Sequence, residues 1–196
     1  NLAGALSHPA ILPKAPVTYL GPLSRFKKRD VESKYDLCII LSGPEPQRTI
    51  FEKIILQDLN KAEGKVCLVR GLPSETEVPR LNNSSIEIKN HLAAEELNNV
   101  MLQSKIIISR CGYSTVMDLV NLQKKSILIP TPGQTEQEYL GGYLQEQKIF
   151  YGVDQNSFSL PEVLKSAAAF EFNTASFTVN DYENVVENFV ATLRHQ

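Results

Sequence analysis

The chain contains no tryptophan and only three cysteines in 196 residues. Cys38, Cys67 and Cys111 are scattered and odd in number, and two of them sit inside apolar runs. That pattern excludes a disulfide framework and has no metal-ligand spacing. It fits a reducing compartment, so a cytoplasmic setting and no bound metal are expected. An excess of one charge is also missing: 20 basic residues stand against 22 acidic ones, a net charge of -2. Nothing in this balance calls for nucleic acid as a partner. No apolar run approaches the ~18 residues that a membrane-spanning helix requires, and no secretory signal opens the chain. The glycine spacing of a dinucleotide fingerprint and the P-loop pattern are both absent, so no cofactor is expected.

What is present divides into two parts. Residues 1–34 carry Pro9, Pro13, Pro16 and Pro22 and show no clear amphipathic period. This stretch reads as a linker or an inter-domain crossing. With no initiator Met, the chain is expected to be a fragment of a longer protein. A basic cluster, Arg25, Lys27, Lys28 and Arg29, reads as a solvated segment, or alternatively as a patch for anionic lipid. From residue 35 onward, short apolar runs alternate with longer amphipathic stretches. The runs are 37–41, 66–69, 86–88, 106–108, 127–129 and 149–153, short and near-continuous as parallel strands covered on both faces require. Phe51, Ile54, Ile55, Leu59 and Ala62 repeat at helical spacing. So do Leu97, Val100 and Met101, then Val116, Leu119 and Val120, then Leu160, Val163, Leu164 and Ala167. Ser159 and Pro161 mark a helix start. A last stripe runs from Tyr182 to Leu193, with Asn180 and Glu183 as a capping pair. Gly71 to Ser85 has no stripe and reads as a loop. Residues 35–180 are therefore expected to form a Rossmann-like, doubly wound α/β sheet of about six parallel strands. The helix within 181–196 would cross towards a further, N-terminal domain.

In open α/β sheets, ligands bind beyond the carboxyl ends of the strands. The loop after Leu41 reads Ser42-Gly43-Pro44-Glu45-Pro46-Gln47-Arg48. Gly43 permits close backbone approach, the helix that follows offers free N–H groups, and Gln47 and Arg48 are candidates to reach a phosphate or a sugar. A Pro-rich strand-to-helix turn is the plain alternative. The loop after Ile108 reads Arg110-Cys111-Gly112-Tyr113-Ser114-Thr115. Gly112 opens the turn, Ser114 or Thr115 is a candidate cap, and the helix start suits a diphosphate, with Arg110 as an added positive charge. Asp118, one turn further on, can accept both hydroxyls of a ribose. After Ile129, Gln134, Gln137 and Glu138 offer the amide and carboxylate groups that pair with sugar hydroxyls. His91 and Leu92, after the third run, are positioned for backbone contact with a nucleobase, and an ordinary loop is the alternative for each.

The stretch from Lys105 to Gly142 resembles the C-terminal domain of glycosyltransferase family 28. That family has a strand, an Arg-Ser-Gly-Ala turn, a Thr and an acid on the following helix, a second strand ending in Pro, and a Gln pair. Arg110-Cys111-Gly112-Tyr113 takes the turn, Thr115 the threonine, Asp118 the acid, Ile127 to Pro130 the second strand, and Gln137-Glu138 the Gln pair. Tyr19-Leu20-Gly21-Pro22 resembles the family's inter-domain connection. The resemblance implies the C-terminal half of a GT-B fold, ribose binding by Asp118 and sugar binding by Gln137. It implies a UDP-sugar or other nucleotide-sugar donor, and metal-free inverting transfer of a hexose or N-acetylhexosamine. The general base would lie in the N-terminal domain. The acceptor is unassigned, with lipid-linked acceptors common in the family, and the full-length protein would associate peripherally with the inner face of the membrane. Three positions depart from the pattern. The family's Gly-Gly-Ser-Gln-Gly loop is replaced by Ser42 to Gln47, the second Gln by Glu138, and a following Asn by Gly141. The alternatives are a sugar-nucleotide epimerase or hydrolase of the same architecture, and a non-catalytic donor-binding subunit.

Overall fold

The computed structural model describes residues 2–8, 10–173 and 182–194. The apolar runs become six strands: β1 (Tyr35–Ile40), β2 (Val66–Val69), β3 (Ile86–Lys89), β4 (Ser104–Arg110), β5 (Lys125–Ile129) and β6 (Tyr151–Gly152). All pair in parallel, in the order β3-β2-β1-β4-β5-β6. Between and after them lie α1 (Gln47–Leu59), α2 (Ala94–Leu102), α3 (Tyr113–Asn121), α4 (Thr135–Glu146), α5 (Leu160–Ala169) and α6 (Tyr182–Arg194).

The two-residue period of the strands divides the core between two faces. Leu37, Ile39, Val66, Leu68, Ile127 and Ile129 point to one side, where Phe51, Ile55 and Leu59 of α1 and Leu160 and Val163 of α5 cover them. Cys38, Cys67, Ile107 and Leu128 point to the other, under Met101 of α2, Val116 and Leu119 of α3 and Leu140 and Leu144 of α4. Cover on both faces explains why the strands read as unbroken apolar runs. It also accounts for Cys38 and Cys67, which are partners in the β1–β2 register and fully buried, as small core residues.

The expected sixth strand is shorter than its apolar run. Ile149 N–H bonds back to the Leu144 carbonyl at 2.9 Å and closes the end of α4, so pairing with β5 begins only at Tyr151. β2 and β3 are joined without a helix, as Gly71 to Ser85 implied. Arg70 and Asn90 bond each other at 2.7 Å, and both reach the Glu77 carbonyl, which anchors that loop. α5 begins after Ser159 with Pro161 in its first turn, as expected. Asn180, half of the expected capping pair, lies outside the described residues.

Residues 10–34 form no regular element, but they are docked on the domain. Phe26 is buried in the core, and its carbonyl accepts from Asn121 at 2.8 Å. The Lys27 carbonyl accepts from Asn98. Nearer the start, Ala5 N–H bonds the Tyr139 hydroxyl on α4 at 2.8 Å. Of the basic cluster, Lys28 bonds Gln123, Arg29 bonds Asn99, and the Arg25 guanidinium lies 4.9 Å from the centre of the Phe26 ring.

Candidate nucleotide-sugar site

The chain order reverses between β1 and β4, and ligands of open α/β sheets sit at such a switch point. Two helices start there, α1 after β1 and α3 after β4, and they differ in one decisive respect.

The start of α1 is closed. The Glu45 carboxylate accepts the Thr49 N–H at 3.1 Å and the Arg48 Nε at 2.6 Å. These bonds hold its pKa below the usual carboxylate range. Arg48 then bonds Glu52 at 2.9 Å, and Glu52 also pairs with Arg70. Arg48 is therefore buried in an ion-pair network and does not reach out to a phosphate. The free N–H groups expected at this helix start are partly taken by the chain's own carboxylate. Gly43 is exposed with φ +99, a conformation that glycine adopts without strain.

The start of α3 is open. Gly112 is the N-cap, no side chain caps the helix, and its first turn holds no acid. Ser114 and Thr115 thus lie in the first turn and are not the caps, which corrects the expected capping role. Ser114 is exposed and Thr115 half-buried. The dipole and the unpaired donors of α3 face the strand ends.

Arg110, the last residue of β4, is 2% exposed. Its guanidinium donates to Gln155 Oε1 at 2.6 Å, to the Gln47 carbonyl at 2.9 Å and to the Pro130 carbonyl at 3.3 Å. It lies 4.5 Å from the centre of the Phe51 ring. The expected direct reach of Arg110 to a diphosphate is corrected on this point: the side chain ties together the ends of β4 and β5 and the start of α1. All its hydrogen-bond acceptors are neutral, and among the described residues it forms no ion pair. Burial without an anionic partner pushes its pKa down to about 10. It remains a cation at neutral pH, and its uncompensated positive charge lies at the carboxyl edge of the sheet, beside the start of α1. Cys111 in the same turn is buried, and its thiol is pushed up to about 12, so it is no nucleophile.

Asp118 lies in the second turn of α3 and is 9% exposed. Ser24 donates to its Oδ1 at 2.6 Å. Burial raises its pKa, opposed by the Ser24 bond and by Arg25. Nothing in the sequence pointed to Ser24, 94 residues away along the chain.

Gln134 is the N-cap residue of α4, and Gln137 and Glu138 fall in its first turn. Gln137 Oε1 accepts the Thr131 N–H at 3.0 Å, and its Nε2 bonds Gln134. Glu138 accepts the Gly133 N–H at 2.9 Å. These side chains shape their own loop, and Glu138 also lines two adjacent cavities of about 200 and 260 Å³ at the ends of β5 and β6. Gln47 is half-buried and accepts from Gln155 at 3.1 Å. His91 is exposed and Leu92 half-buried, at the turn before α2. A groove of about 590 Å³ between Pro16–Leu20 and α6 includes none of the expected site residues.

The fold is that of the GT-B glycosyltransferases, as three comparisons show. The chain is similar to the UDP-N-acetylglucosamine–N-acetylmuramyl-(pentapeptide) pyrophosphoryl-undecaprenol N-acetylglucosamine transferase of Sulfurihydrogenibium sp. (strain YO3AOP1), with 24% identity over 164 residues, 78% of this chain and 46% of that protein. It superposes on Acinetobacter baumannii MurG with a TM-score of 0.57 and 16% identity, covering 82% of this chain and 50% of that one. It also superposes on the kitacinnamycin glycotransferase with a TM-score of 0.56 and 15% identity, covering 84% and 42%. The profile of the glycosyltransferase family 28 C-terminal domain matches residues 37–189, and the chain belongs to that family. It spans about half the length of the relatives it matches.

Proposed function

We propose that this domain binds a nucleotide-sugar, with uridine as the nucleoside, and presents it for transfer of a hexose or N-acetylhexosamine. One observation carries the reading: at the same switch point the start of α3 is uncapped with no acid in its first turn, and the residue two before its N-cap, Arg110, holds a buried guanidinium beside the start of α1 with no anionic partner. A diphosphate supplies both the acceptors and the charge that this arrangement lacks. The negative charge that develops on the leaving diphosphate during transfer would be stabilised at the same place.

Asp118 is the ribose contact in this reading. In the ligand-free chain the Ser24 hydroxyl occupies its carboxylate, so donor entry exchanges one hydroxyl for another. Gln134, Gln137 and Glu138 border the hexose, and His91 with Leu92 lies where a base would rest. Similarity to the Sulfurihydrogenibium N-acetylglucosamine transferase, whose acceptor is a pyrophosphoryl-undecaprenol, supports a UDP-N-acetylhexosamine donor and a lipid-linked acceptor.

Calorimetric titration with UDP, UDP-GlcNAc, deoxy-UDP and the other nucleoside diphosphates tests the proposal. UDP is expected to bind more tightly than deoxy-UDP, and Asp118→Asn to narrow that gap while leaving thermal stability unchanged. Failure of every nucleoside diphosphate to bind would overturn it.

A further inference from the structure

Thr131 is 2% exposed, and its hydroxyl is buried without a hydrogen-bond partner. Such a group costs free energy in the ligand-free state and is rare in folded proteins. Its position is defined by the sheet register. Ile40, Ser109 and Leu128 lie side by side on β1, β4 and β5. Three residues beyond them come Gly43, Gly112 and Thr131, level with one another at the carboxyl edge of the sheet. The chain after β4 turns away into α3, which leaves the two flanking loops facing each other. Thr131 Oγ1 lies 3.9 Å from where a Cβ would stand on Gly43, and among the described residues beyond Ser42, Gly43 and Pro44 no other atom lies within 4 Å of that point. The Thr131 backbone is fixed by Gln137 at 3.0 Å, so its hydroxyl is held in place while making no bond.

The Gly43 turn is also short of donors. Pro44 and Pro46 have no N–H to offer, and Glu45 takes the Thr49 N–H at the start of α1. We infer that the Thr131 hydroxyl is a phosphate-binding donor, which supplies from β5 the hydrogen bond that the proline-containing β1 turn does not provide. The inference rests on the nucleotide-sugar reading above and adds a residue to that site. Diphosphate entering at the Gly43 turn gives the orphaned hydroxyl its acceptor.

The test titrates UDP and uridine into wild type, Thr131→Val and Thr131→Ser. Thr131→Val keeps the shape and removes the hydroxyl. It is expected to melt no lower than wild type, to weaken UDP about tenfold or more, since the lost bond is to a charged group, and to leave uridine unchanged. Thr131→Ser is expected to retain UDP binding. UDP affinity of Thr131→Val within twofold of wild type overturns the inference and leaves the nucleotide-sugar reading standing. Equal loss of UDP and uridine overturns it as well, because the effect is then structural. If wild type binds neither, the broader reading fails and the inference with it.

Discussion

The starts of α1 and α3 lie on adjacent strands, at the same edge of one sheet, and both follow a glycine-containing turn. One is sealed by a resident carboxylate and the other is bare. At α1, Glu45 satisfies the Thr49 N–H and pairs with Arg48, whose charge is neutralised again by Glu52. At α3 no side chain caps the helix and the first turn holds no acid. A helix start is thus an anion site only when the chain has not already filled it. The surplus of unpaired donors, rather than the helix as such, distinguishes α3.

The largest test removes the ring that α1 sets against Arg110. Phe51 is fully buried on α1 and lies under the Arg110 guanidinium. Phe51→Ala is expected to cost about 3–5 kcal/mol, the usual range for deleting a buried aromatic side chain. Urea unfolding measures it, and a loss below about 1 kcal/mol would show that the ring supports neither α1 nor the Arg110 side chain. A smaller effect comes from making α3 resemble α1. Ser114 is exposed in the first turn, and Ser114→Glu places a carboxylate at the bare helix start. UDP should bind about tenfold more weakly, while the melting temperature holds or rises, because an acid near a helix N-terminus is favourable. Undiminished UDP affinity would break the comparison. The smallest effect lies at α1. The Glu45 carboxyl is depressed by the Thr49 and Arg48 bonds. Its contribution to stability is therefore present above the unfolded carboxyl pKa and is lost as pH falls through the lower folded value. Amide exchange at Thr49, corrected for its intrinsic pH dependence, should quicken on acidification below about pH 4.5. Glu45→Gln should remove that dependence without creating a new UDP site, since Arg48 stays paired with Glu52.

Much of this was legible along the chain. The doubly covered strands show themselves as unbroken apolar runs, and residue type and spacing mark Gly112 as the turn that opens α3. Three things were hidden because they depend on contacts distant in sequence. Arg110 looked like a ligand until Gln155 and the Gln47 carbonyl turned it inward. Asp118 looked open until Ser24 was found on it. Thr131 stands between two prolines in the sequence, and that its hydroxyl is buried without a hydrogen-bond partner is visible only in the folded chain. Arg48 is different: its Glu52 partner sits at i+4, a charge spacing that the sequence itself displays.

The stretch ahead of the first strand has a practical consequence for anyone trimming the gene. A shortened chain beginning at Tyr35 would look well chosen from the strand pattern, yet it would remove Phe26 from the core and strip the Asp118 carboxylate of its Ser24 cover. The shorter protein would then expose apolar surface and an altered acid at the place where binding is to be measured. A start upstream of Pro22 keeps the domain's own wall in place.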